Sequence, residues 1–166
     1  MQQIFQINTF TSDLFAGNPA VVCPLQEWAD AELKQRIASE SGHICAFFTG
    51  NEGHYQIRWF TPRAEIQGIC GHGTLAAAFV ILNQLGDSSE EIVFHVAAGE
   101  LRVGRRNAGY VLDLPALKPT PCPLPEQIGE ILSRKPDGPL GALDLIAIFS
   151  AKEHVSRVQA KHEVLD

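Results

Sequence analysis

The sequence predicts an α+β fold in which strands surround one wholly apolar helix. Three observations predict it. "HYQIRWF" alternates strictly, the period of a strand with one buried face. "TLAAAFVIL", residues 74–82, carries no charge and is apolar on every side, so its helix belongs inside the protein. "EIVFHVAAGELRVGRRNAGYVLDLP" breaks at Ala98-Gly99 and Asn107-Ala108-Gly109 into three short strands.

The elements follow in order. From residue 3 to 10, Ile4, Gln6 and Asn8 share one strand face and Phe5 and Ile7 the other. "AGNPAVVC" gives a Gly17-Asn18-Pro19 turn leading into a short apolar strand. Asp30 is an N-cap for "AELKQRIASES", which puts Leu33, Ile37 and Ala38 on one face, and Gly42 is the stop. In "ESGHICAFFTG" a strand follows, with His43 and Cys45 on the same face by period two. After the alternating strand comes the apolar helix, which Gly86 ends.

Residues 115–125, "PALKPTPCPLP", hold five prolines in eleven positions and read as a stiff, extended crossover. They divide a first domain, residues 1–114, from an incomplete second one, residues 126–166. That second part reads as a helix (126–134), a Pro-Asp-Gly turn, the strand "ALDLIAIF" and a helix in "AKEHVSRVQA". One strand and one or two helices are too few to bury a core of their own.

Composition narrows the function. Of 166 residues, 45% are apolar, enough for a core, and only 19% are charged. The net charge of -6 and the lack of a basic stripe argue against nucleic acid and for a small-molecule partner. "MQQIFQINTF" reads as a strand rather than a signal peptide, and no apolar run reaches membrane-spanning length. The cysteines, Cys23, Cys45, Cys70 and Cys122, form no CxxC pair. They are expected as free thiols in the cytoplasm, with no metal.

The strongest candidate for chemistry is "ICGHGTLAAA". A Gly-rich turn opens onto the buried helix, whose first N–H groups lack intrahelical partners and carry the positive end of its dipole. Gly71 and Gly73 let a ligand approach the backbone there, and Thr74 completes the turn, a setting that suits a carboxylate. His72 stands where an imidazole can shuttle a proton, and the helix start can activate Cys70. The plainer alternative is a tight turn with a surface histidine. His43 and Cys45 allow either an acyl-transfer dyad or a core thiol packed beside Phe47 and Phe48. Asn18 is either a turn residue or a group pointing into a cleft.

"DLFAGNPAVV" (13–22), "IRWFTPRAEI" (57–66) and "CGHGTLAAA" (70–78), in this order and spacing, resemble the PhzF-like phenazine biosynthesis family within the diaminopimelate epimerase superfamily. The resemblance runs from residue 3 to about 114 and returns more weakly at 142–160. It implies two similar halves, each a curved, mostly antiparallel sheet wrapped around one central helix, with the active site between the two helix starts. It also implies cofactor-free proton transfer on a small carboxylate-bearing metabolite. The family carries a "NLSETAFV"-like segment after the first helix, whose glutamate is the general acid/base. Aligned without a gap, that glutamate falls on Cys45. A thiol has a reference pKa of about 8.5 against about 4.3 for Glu, so it is not an equivalent acid. The second half's "GSATGP"-like stretch, with its catalytic aspartate, has no counterpart here.

Two functions follow as expectations. The first is an isomerase or epimerase using His72 with Cys45 or Cys70, binding its substrate at Asn18, Gly71, Gly73 and Thr74. The second is a truncated, catalytically silent homologue that acts as a binding or interaction protein. A homodimer is expected under either, since a large apolar face seldom stays bare.

Overall fold

The computed structural model describes residues 3–107, 109–142 and 144–159. The centre of the expected 107–109 turn and the end of the expected last helix lie outside the described residues. Two compact units divide at residue 114: Met1–Leu114 and Pro115–Asp166.

In the first unit the strands are β1 (Phe5–Thr9), β2 (Asn18–Pro24), β3 (Ile44–Asn51), β4 (His54–Phe60), β5 (Glu65–Ile66), β6 (Glu91–Val96), β7 (Gly99–Arg106) and β8 (Gly109–Asp113). Helix α1 (Ala31–Ser41) joins β2 to β3, and α2 (Gly71–Asn83) joins β5 to β6. The sheet order is β1-β2-β3-β4-β6-β7-β8, with β5 paired to β4. The pairs β2–β3 and β4–β6 are parallel and the others antiparallel. Each parallel pair brackets a helix, as a crossover requires. Helix α2 packs against β1 and β8, which lie at opposite ends of that order. A sheet whose two outer strands reach the same helix must curl around it.

Most of the sequence elements stand where the residues put them. Asp30 caps α1 by accepting the Leu33 N–H at 2.6 Å, and Gly42 closes it at φ 69°. Tyr55, Ile57 and Trp59 are buried against α2, while Gln56 and Arg58 are exposed. Gly86 takes φ 76°, and the Asp87 N–H turns back to the Ile81 carbonyl, so the glycine ends α2 as a Schellman-like stop.

Several expectations are corrected. Asn18 and Pro19 already belong to β2, opposite Thr9 and Asn8. The left-handed turn residue is Gly17, where a Cβ would strike the Thr9 carbonyl. Pro19 fits because β3 pairs with β2 only from Ala20 onward, leaving its missing N–H without a partner to lose. On α1 the buried face is Lys34 and Ala38, while Leu33 is exposed. The Lys34 ammonium sits over the Trp28 and Phe60 rings at 4.8 and 5.3 Å, so cation–π attraction lets a lysine occupy an apolar position. The β6–β7 turn is Ala97-Ala98, and Gly99 opens β7.

In the second unit β9 (Thr120–Pro121), β10 (Gly138–Gly141) and β11 (Leu145–Ile148) form a sheet in the order β11-β10-β9, with helices α3 (Glu126–Ile131) and α4 (Lys152–Ser156). The Pro-rich crossover therefore contributes a strand, on an edge where Pro121 is tolerated. Leu145, Ile146, Ile148 and Val155 remain exposed in it.

Candidate functional site

The crossover from β4 to β6 fixes where α2 begins. Strands β4 and β6 run in the same direction, so the intervening α2 must begin at the end of the sheet where β4 finishes and run back toward the end where β6 starts. Phe60 ends β4 opposite Cys45, near the start of β3, and Ile44 lies opposite Ala20, near the start of β2. Asn18 and the first turn of α2 thus share one end of the sheet. Asn18 is exposed there, and its carbonyl accepts the Thr9 hydroxyl at 3.1 Å.

Cys70 is the N-cap residue of α2, and its carbonyl accepts both the Thr74 N–H (3.0 Å) and the Thr74 hydroxyl (2.8 Å). Thr74 is fully buried, and its hydroxyl is held by the Cys70 carbonyl within the helix start. Donors for an anion are left to the backbone of Gly71 and His72, where nothing bulkier than a glycine stands at 71.

His72 Nδ1 lies 3.5 Å from Cys70 Sγ, so the structure brings together two of the expected chemical groups. Burial lowers the His72 pKa and thereby favours the neutral imidazole. Burial raises the Cys70 thiol, and the Gly73 N–H opposes that rise. The resting pair is therefore a thiol beside a neutral imidazole.

Cys45 is placed elsewhere. It is fully buried in a cluster with Val21, Cys23, Ala38, Phe47 and Phe60, whereas its neighbours Ala46 and Ile44 pack with the α2 cluster. With a period of two, Cys45 faces α1 and lies across the sheet from Cys70. His43 precedes β3, so the two do not share a strand face, and no dyad forms between the thiol and the His43 ring. The Cys45 sulfur contacts the Ser41 hydroxyl at 3.2 Å and the His43 carbonyl at 3.8 Å. Burial raises its pKa, opposed by the Ser41 hydrogen bond. Its neighbour Cys23 is pushed by burial, and by Cys45, to about 12.

Trp59 is a residue of interest that the sequence pattern does not mark as functional. It is 2% exposed, and its indole Nε1 has no hydrogen-bond partner among the described residues. The alternation of β4 announces burial but says nothing about a partner for the N–H. A separate groove of about 480 Å³ is lined by Trp28, Arg58, Trp59, Glu65 and His95, and residues 70–74 do not reach it. Among the described residues, no three His, Cys, Asp or Glu side chains gather as a metal site would require.

The family model for phenazine biosynthesis-like proteins, PhzC-PhzF, matches residues 7–129. An uncharacterized isomerase of Pseudomonas aeruginosa is 44% identical over 130 residues, covering 78% of this chain and 50% of that protein. The human phenazine biosynthesis-like domain-containing protein is 38% identical over 121 residues, covering 68% of this chain and 42% of that one. A PhzF-family crystal structure from Enterococcus faecalis superposes with a TM-score of 0.88 at 31% identity, covering 99% of this chain and 64% of that one. A putative PhzC/PhzF protein from Clostridium difficile gives 0.85 at 34%, with the same coverage. The chain spans about half the length of the curated relatives it matches. The family match over most of the sequence and the shared curled α+β sheet lead to one conclusion: the chain belongs to the PhzC-PhzF family of phenazine biosynthesis-like proteins.

Proposed function

We propose that the chain carries the carboxylate-binding and proton-handling half of a PhzF-like isomerase, which moves a proton on a small carboxylate-bearing metabolite without a cofactor. The observation that carries this reading is the Cys70–His72 contact of 3.5 Å at the first turn of α2. A carboxylate held on the free N–H groups of Gly71 and His72 would place its α-carbon beside the imidazole. The Cys70–His72 pair supplies the base there, as the neutral imidazole or, once Nδ1 has taken the thiol proton, as the thiolate. Asn18, at the same end of the sheet, is proposed as a further contact to the substrate.

Proton exchange at the α-carbon of candidate acids in deuterated water tests the reading. Exchange is expected with at least one acid, lost in His72→Ala and retained in Cys45→Ser. One observation favours a second reading, a silent binding protein: the position aligned with the family's catalytic glutamate is a thiol that faces α1. Failure of exchange across a broad panel, with the same acids still binding, would select it. A cytoplasmic location and a homodimer are part of the proposal under both readings.

A further inference from the structure

The buried indole of Trp59 and the sulfur of Cys70 both border the position that a side chain at Gly73 would fill. A Cβ built on Gly73 would lie 2.8 Å from Trp59 Cδ1, 3.3 Å from Trp59 Nε1 and 3.2 Å from Cys70 Sγ. The glycine thus lets the start of α2 close onto the indole edge, with the Cys70 sulfur flanking the same point. A buried N–H without an acceptor costs about 1–3 kcal/mol, so this one needs a reason. A neutral thiol is a weak acceptor and gives none. A thiolate is a strong one.

We propose that Trp59 is a positioning residue for Cys70, its Nε1–H serving with the Gly73 N–H as the donor pair that receives the sulfur's negative charge once the thiol proton has moved to His72 Nδ1. The step balances: one S–H bond breaks, one N–H bond forms on the imidazole, and the electron pair stays on sulfur. The thiolate and imidazolium then form an ion pair inside an apolar site, where fixed donors count for more than in water. This role rests on the proposed Cys70–His72 pair. Among the described residues, His72 is the titratable side chain in contact with Cys70, while β4 contributes Trp59, which does not titrate, and β8 brings Leu112 to the neighbouring Gly71.

The test is a pH titration of the ¹⁵N-labelled chain with Cys23, Cys45 and Cys122 changed to serine. The Trp59 indole N–H resonance is expected to move downfield with the same midpoint as iodoacetamide alkylation of Cys70. The Trp28 indole, already bonded to Gln56 Oε1 at 2.9 Å, is the internal control and stays put. In Trp59→Phe the alkylation midpoint is expected to rise, so that the thiolate fraction at neutral pH falls several-fold. A Trp59 resonance that ignores Cys70 ionisation overturns the proposal, even if the phenylalanine variant does not fold. If the resonance follows Cys70 while substrate exchange survives Cys70→Ser, the donor role stands and the proposed catalytic use of the pair fails.

Discussion

At the scale of single residues, the direction of the position-45 side chain is the sharpest issue. Strand β3 is covered by α1 on one face and by α2 on the other, so "ICAFF" reads as a continuous apolar run. Such a run reveals burial but hides which side chain faces which helix. That is why alignment could place the family's acid on Cys45 while only the fold could show that the side chain points toward α1. Restoring the acid makes this measurable. Cys45→Glu would put a carboxylate among Val21, Cys23, Phe47 and Phe60, with the Ser41 hydroxyl as its nearest polar group. The expected cost is about 3 kcal/mol or more in denaturant unfolding, with no gain in proton exchange. A variant of unchanged stability would mean that the side chain can swing toward α2. Position 73 tests the opposite face: Gly73→Ala would press its Cβ onto Trp59 Cδ1 at 2.8 Å. That overpacking should cost about 1–3 kcal/mol by the same measurement, and no loss would show that the indole gives way freely.

At the scale of elements, α2 is held at its far end by one carboxylate. Asp87, just past the helix stop, accepts the Tyr55 hydroxyl at 2.7 Å, the Gly53 N–H at 3.0 Å and the Ser89 N–H at 2.8 Å. It therefore ties the exit of α2 to the start of β4. Burial alone would raise its pKa, but hydrogen bonds from Ser89, Tyr55 and Gly53 outweigh that and bring it from 3.8 to about 2. A carboxylate depressed in the folded state adds stability above its unfolded pKa and loses it as pH falls through the folded value. The window here is about pH 4 down to about 2, and after discounting for partial exposure the contribution is about 1–2 kcal/mol. Asp87→Asn should lose that increment at pH 7 and flatten the stability profile across the window. Parallel profiles for the two proteins would assign the acid sensitivity to other groups. The sequence revealed α2 itself because an uncharged nine-residue run has only one place to go. It did not reveal Asp87, since a carboxylate after a glycine stop looks like any solvated loop residue until the sheet brings Tyr55 and Gly53 to it.

At the scale of the whole molecule, the first unit was legible because local pattern and long-range pairing agree. Alternation in β4, the Asp30 cap and the Gly42 and Gly86 stops each point to the element that forms. The second unit was not, because β9 and β10 are built from Pro and Gly, whose preferences say turn while sheet pairing says strand. The loop between β1 and β2 exposes three large apolar side chains. Phe10, Leu14 and Phe15 are 71%, 86% and 99% exposed there, and Phe10 and Phe15 hold positive φ, which a bulky residue adopts only when other contacts compensate. Three large apolar side chains in one short loop, at the same end of the sheet as Asn18 and Cys70, are costly to leave in water. The proposed homodimer would cover them. Sedimentation at micromolar concentration should give a dimer for the native chain and a monomer for the Leu14→Ser/Phe15→Ser variant, with unfolding midpoints that differ little. A native monomer at that concentration would remove the dimer from the proposal, and a variant that stays dimeric would move the interface away from this loop.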